Sequence, residues 1–179
     1  MSTDSRAAIV TGGSAGIGRA VARMLAAEGY ALTLIARGPE RLDEATAELR
    51  EAGVDVLAVA ANAAEEAELR RAFDSHCDRF GRLDVLVNNA GVGQPRRIDQ
   101  TSTKQVDLQL SVNLRSAYLL LSWSAQLLRT AGALHGKALV VNVSSMFGLL
   151  PQAGTAAYSM TKAALVALSA SAHGELSRH

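Results

Sequence analysis

The sequence predicts an α/β fold in which a parallel sheet is covered by helices on both faces. Three observations predict it. Short apolar runs alternate with longer stretches of helical periodicity along nearly the whole chain. The connections this order requires are right-handed crossovers, which make the sheet doubly wound. A glycine-rich turn, Gly12-Gly13-Ser14-Ala15-Gly16-Ile17-Gly18, joins the first run to the first helical stretch.

The elements follow in order. Ala7–Thr11 reads as the first strand. Ile17, Val21, Met24 and Leu25 recur at helical spacing and define a first helix ending near Gly29. Ala31–Ala36 is a second buried strand. Pro39 suits the first turn of a second helix, with Leu42, Ala45 and Leu49 on one face and Gly53 past its end. Val54–Ala60 is a third strand. Glu65 to Phe80 is a third helix, with Leu69, Phe73 and Cys77 on its apolar stripe and Gly81 as its stop. Val85–Val87 is a fourth strand, a long helix covers roughly Thr103 to Arg129, and Ala138–Val143 is a fifth strand. A loop around Pro151 leads into a final helix from about Thr155 to Ser177.

The 179 residues suit one domain with a sizeable core. Aromatics are only 4%, so Ala, Val, Leu and Ile must build that core. The net charge of +1 is too balanced to imply nucleic acid or an anionic membrane as partner. Charges or glycines interrupt every apolar stretch before it reaches membrane-spanning length, and the polar start Met1–Arg6 carries no leader pattern. Cys77 is alone, so a disulfide framework is not expected and a reducing cytoplasm is. No metal-ligand spacing surrounds it.

The chemistry-bearing residues fall at or after predicted strand ends, where ligands bind in such sheets. In the glycine-rich turn, Gly12 permits the sharp bend, Gly16 lets the backbone approach a pyrophosphate, and Gly18 allows close helix packing. The free amides at the helix start, from Ser14 and Ala15 to Ile17, are placed to hold phosphates. At the end of the second strand, an acidic residue would bind the ribose hydroxyls of NAD. Arg37 stands there instead and suits a 2′-phosphate, which favours NADP(H) over NAD(H). Tyr158 and Lys162 lie one helical turn apart. A free phenol has a pKa of about 10, and a cation on the same face favours its phenolate. Ser145, brought in after the fifth strand, is placed to share a substrate oxygen with Tyr158. Together they can move a proton to or from a carbonyl or alcohol oxygen.

Taken together, these residues resemble the short-chain dehydrogenase/reductase family. The resemblance rests on Gly12, Gly16 and Gly18, on Asn88-Asn89-Ala90-Gly91, on Asn113, on Val141-Asn142-Val143-Ser144-Ser145 and on Tyr158 followed four residues later by Lys162. They occur in the family's order and spacing, from Thr11 to the last helix. The resemblance implies a Rossmann-type, three-layer α/β/α domain with five strands over residues 1–179. It implies an oxidoreductase that interconverts a small-molecule carbonyl and alcohol with NADP(H). Tyr158 would be the general acid/base and Ser145 a hydrogen-bond donor to the substrate oxygen, with Ser144 as backup. Lys162 would bind the nicotinamide ribose, and Asn113 would hold a water linking Lys162 to solvent. Asn89 and Gly91 would stabilise the fourth strand end beside the adenosine ribose, with Ala90 between them also in the cofactor site. Asn62 replaces the family's usual aspartate and would accept a hydrogen bond from the adenine amino group.

The family pattern continues with a sixth strand, a nicotinamide-contacting loop, a substrate lid and a seventh strand, none of which lies within residues 1–179. The fifth strand is therefore expected at a sheet edge. Either a second chain covers that surface or the cellular protein continues past His179. The Ala- and Leu-rich last helix and the long helix suit a homo-oligomer contact. Two functions follow: an active oxidoreductase, or a catalytically inactive nucleotide-binding fragment acting through partner contacts.

Overall fold

The computed structural model describes residues 5–177. Met1–Asp4 and the terminal His179, both read from sequence above, lie outside them. Five parallel strands, β1 (Ala7–Thr11), β2 (Ala31–Ala36), β3 (Val56–Ala60), β4 (Val85–Asn88) and β5 (Leu139–Asn142), form one sheet in the order β3-β2-β1-β4-β5. The order reverses at β1, so the crevice beside β1 and β4 is where a ligand is expected. Helices α1 (Gly16–Ala27) and α2 (Pro39–Glu51) cover one face. On the other lie α3 (Glu66–Phe80), α5 (Ser116–His135) and α6 (Ala156–Leu176). Helix α4 (Thr103–Leu110) runs into α5 through a π-helical turn, Ser111–Arg115.

The predicted architecture is thus the observed one, with local differences. The third strand begins at Val56, not Val54. Gly53 is left-handed (φ 80°), and the amides of Gly53 and Val54 turn back to Arg50 O (2.9 Å) and Leu49 O (3.0 Å). Val54 therefore completes the close of α2. The long helix reaches His135 and stops at the left-handed Gly136. The stripe expected on α1 is split, with Val21 and Leu25 packed against the core. Ile17 and Met24 are 62% and 67% exposed, while Gly18 and Ala22 form the buried contact. Closeness decides this, since only small residues let α1 lie against the glycine-rich turn.

At the amino end of the sheet, the buried Asp84 accepts from Ala7 N (2.8 Å) and pairs in two places with Arg82. Burial alone would raise its carboxyl pKa; the guanidinium and the amide outweigh that and hold it below the ordinary carboxylate range. The charge fixes the inert end and leaves the carboxyl ends of the strands to the site.

Candidate active site

The turn after β1 is held from behind. Thr11 Oγ1 accepts from the amides of Asn89 (2.9 Å) and Ala90 (3.0 Å). Asn89 Nδ2 donates to Thr11 O (3.0 Å) and Gly12 O (3.2 Å). Gly12 has φ 64°, which favours glycine. A Cβ on Gly18 would stand 2.3 Å from Gly12 O, so α1 touches the turn backbone to backbone. Gly16 (φ 53°) faces open space, and Ala15 gives the start of α1 no side-chain cap. The first amides of α1 therefore have no side-chain partner and can receive an anion.

A cavity of about 450 Å³ lies beside this turn. Of the cofactor residues expected from sequence, Gly12, Ser14, Arg37, Asn62, Ala90 and Gly91 line it. Ala15, Gly16 and Ile17 are exposed at the helix start, and Gly18 and Asn89 sit behind the turn as its support. Asn62 Oδ1 already accepts from Ala64 N (3.1 Å) and keeps a second lone pair. Arg37 makes no side-chain hydrogen bond or ion pair among the described residues. Nor does Arg41, a lining residue that the sequence reading missed. Its signal was its position four residues after Arg37, at the start of α2. Two arginines with no side-chain partner among the described residues in this cavity, and an uncapped helix start with an open glycine beside it, fit a dinucleotide phosphate chain.

The second group of residues gathers where β4, β5, the π turn and α6 meet. Lys162, on the buried face of α6, is 4% exposed and donates from Nζ to Val143 O (2.7 Å). Its burial lowers the ammonium pKa. A lysine at a helix position with neighbouring polar residues is ordinarily solvated; this one is not. Nζ lies 5.7 Å from the centroid of the Tyr158 ring. The hydrogen-only side of Gly91 faces both Lys162 and Asn113: a Cβ there would stand 3.4 Å from Lys162 Nζ and 3.5 Å from Asn113 Oδ1.

The two serines differ in what their hydrogens do. Ser144 Oγ donates to Lys162 O (2.7 Å), so its hydrogen is engaged on α6. Ser145 Oγ accepts from Phe147 N (3.2 Å) at the start of a 3-10 turn, Met146–Gly148. Its own hydrogen remains available to donate. Asn113, in the π turn, is 1% exposed. Oδ1 accepts from Val92 N (2.7 Å), while Nδ2 donates to Val92 O (2.8 Å) and Thr161 Oγ1 (3.0 Å). Asn88 Nδ2 reaches Asn142 Oδ1 (2.8 Å), and Asn142 Nδ2 reaches Ser169 Oγ (2.9 Å), which ties β4, β5 and α6 together. Neither the Thr161 contact nor this ladder was read from sequence, because threonine and asparagine carry no periodic signal of their partners.

Among the described residues, no cluster of His, Cys, Asp or Glu could hold a metal ion, and no helix is long and apolar enough to cross a membrane.

Known proteins resemble this chain in sequence and fold. The chain is 34% identical over 175 residues to the 3-oxoacyl-acyl-carrier-protein reductase FabG of Staphylococcus aureus, covering 96% of this chain and 69% of that protein. A metagenomic short-chain oxidoreductase solved in complex with NADP superposes with a TM-score of 0.91 at 35% identity, over 99% of this chain and 80% of that one. The 3-ketoacyl-acyl-carrier-protein reductase of Brucella melitensis complexed with NADH gives 0.89 at 28% identity, over 98% and 72%. With residues 6–179 matching the family described as short chain dehydrogenase, this chain belongs to that family of oxidoreductases acting on CH–OH groups.

Proposed function

We propose that this chain interconverts a carbonyl and an alcohol with NADP(H), and that residues 1–179 form a single nucleotide-binding domain. The observation that carries the reading is Lys162: a buried lysine turned to Val143 O, beside the Tyr158 ring and next to the dinucleotide cavity. When bound, the nicotinamide supplies the hydride. The chain supplies the rest. Tyr158 gives its phenolic proton to the carbonyl oxygen in reduction and removes it from the alcohol in oxidation. Ser145 donates its free hydrogen to the same oxygen as charge develops there. Lys162 keeps two of its three donors for the ribose hydroxyls of the nicotinamide half. The water linking Lys162 to solvent bonds to an oxygen of Asn113, because both side-chain hydrogens of Asn113 are engaged. The presence of all four groups together favours catalysis over the inactive alternative.

Arg37 and Arg41 support NADP(H), since either guanidinium can take a 2′-phosphate as a paired donor. Ser14 and the amides of Ala15 to Ile17 would hold the pyrophosphate, and Asn62, Ala90 and Gly91 the adenosine half. The substrate is a small-molecule ketone or aldehyde, and the relatives' names direct the first trials to 3-oxo esters and thioesters.

NADPH fluorescence should change saturably on titration with the protein, and absence of saturation overturns the cofactor reading. Arg37→Ala should weaken NADPH far more than NADH. Incubation with NADPH and a panel of ketones should oxidise the cofactor, with Tyr158→Phe lowering the rate at least about 100-fold. Turnover indifferent to that substitution overturns the mechanism.

A further inference from the structure

We propose that Thr161 is a positioning residue: its hydroxyl couples the Asn113 clamp on the loop after β4 to α6 and so holds Gly93 against the ring of Tyr158. The inference rests on the proposed role of Tyr158 only for its kinetic arm. Its structural arm stands on hydrogen bonds alone.

Thr161 is completely buried beside Lys162. A hydroxyl has one hydrogen, and that of Thr161 goes to Tyr158 O (2.8 Å). Towards Asn113 it can therefore only accept, which sets Nδ2 of Asn113 against it (3.0 Å). The rest of the amide agrees. With Nδ2 on that side, Oδ1 meets Val92 N (2.7 Å) and the second Nδ2 hydrogen meets Val92 O (2.8 Å). A flipped amide would put donor on donor and acceptor on acceptor at Val92. All four groups are thus satisfied in one arrangement. It joins the loop after β4, the π turn and the helix that carries Tyr158 and Lys162.

The next residue shows what the coupling does. A Cβ on Gly93 would stand 3.2 Å from Tyr158 Cδ2 and 3.3 Å from Cε2, so its backbone lies directly on the ring. Val92 is held by Asn113, Asn113 by Thr161, and Thr161 lies on the same turn as Tyr158. The loop and the ring are therefore fixed to each other and not only to the scaffold. Misplacement of a reacting group by about 1 Å can cost on the order of 100-fold in rate. Removing the hydroxyl leaves one buried Nδ2 hydrogen of Asn113 without an acceptor, which costs more than a missing bond between exposed groups.

The test compares Thr161→Val, nearly the same shape without a hydroxyl, with Thr161→Ser, which restores it. Amide hydrogen exchange is followed by NMR in the cofactor-free protein. Thr161→Val should speed exchange at Val92 about 10-fold or more relative to the amides of β1 and β4, and Thr161→Ser should return it to the parental rate. In the kinetic arm, with NADPH and ethyl acetoacetate, kcat should fall about 10-fold in Thr161→Val and recover in Thr161→Ser, with NADPH affinity unchanged. Gly93→Ala leaves every hydrogen bond of the clamp in place but presses on the ring. It should lower kcat without speeding exchange at Val92. Unchanged Val92 exchange in Thr161→Val, an equal rise at every amide of the sheet, or failure of Thr161→Ser to restore protection overturns the proposal. A parental protein that binds NADPH but reduces nothing overturns the oxidoreductase reading instead, and the exchange measurements still decide the clamp.

Discussion

His76 is fully buried on α3, and its two ring nitrogens are assigned by their neighbours. Nε2 lies 2.8 Å from Arg82 O, which only accepts, so Nε2 carries the hydrogen; Nδ1 then accepts from Thr33 Oγ1 at 2.7 Å. Burial disfavours a second proton on the ring and lowers the imidazole pKa from 6.5 to about 4. The unfolded chain takes up that proton first as pH falls, so the contribution to stability is complete above about pH 6.5 and is lost on the way down through pH 4. Its full size is about 3 kcal/mol. Urea unfolding at pH 7 and pH 4 should show a loss of that order, and His76→Gln, which keeps one donor and one acceptor, should remove most of it. Equal pH slopes in the two proteins would refute the assignment. The neighbouring serines give a second contrast. Ser145→Ala should lower kcat about 100-fold, because a donor to a developing oxyanion is lost. Ser144→Ala should cost about 1 kcal/mol of stability through its bond to Lys162 O and much less in rate. A reversed order would exchange their roles.

The first βα turn shows at the level of an element what the sequence could and could not convey. Gly12 and Gly18 were legible because each glycine answers a local steric demand: a positive φ in one case, contact between backbones in the other. Gly18→Ala would place its Cβ 2.3 Å from Gly12 O and 2.5 Å from Asn89 Nδ2, with backbone unable to yield. It should lower stability by about 1–3 kcal/mol and weaken NADPH binding. Gly174→Ala, inside α6 with nothing within 4 Å, should instead stabilise by about 0.5–1 kcal/mol. Thermal melts of the two variants separate packing from helix propensity. The face of α1 was legible only in part: Val21 and Leu25 pack against the core as their spacing suggests, whereas Ile17 and Met24 stay exposed although more apolar than the buried Gly18 and Ala22. Asn89 was expected to stabilise the fourth strand end, and its side chain holds the turn there through Thr11 O and Gly12 O, two backbone atoms that the sequence alone does not name. Lys162 was singled out by its spacing from Tyr158, and Asn113 through family likeness. Their burial comes from contacts between elements far apart in the chain, which helical periodicity does not encode.

At the scale of the molecule, the proposed chemistry and the proposed association fall on separate surfaces. The phosphate turn, Arg37, Ser145, Tyr158 and Lys162 all follow the carboxyl ends of strands or lie on the helix entered from them, so the proposed cofactor and substrate positions share one end of the sheet. On the outward side of α4, α5 and α6, Leu110, Leu114, Arg115, Tyr118 and Leu168 line an apolar groove of about 360 Å³. Tyr118 is 58% exposed, and Met160 and Val166 of α6 are 49% and 42% exposed. The net charge of +1 raises little repulsion between copies. These helices are the surface on which a homo-oligomer is proposed. Sedimentation velocity at increasing protein concentration should show association, and Tyr118→Glu should shift it towards the monomer by burying a charge at the contact. Far-ultraviolet circular dichroism and NADPH binding should stay unchanged in that variant, because Tyr118 lines neither the dinucleotide cavity nor the core. A parental protein that stays monomeric at high concentration would remove the helix face as an interface, and association indifferent to Tyr118→Glu would move the contact elsewhere. The sheet edge is the place to look next: Leu139 and Val141 of β5 are 54% and 36% exposed on the face that continues Val85 and Val87, and no helix among the described residues covers them.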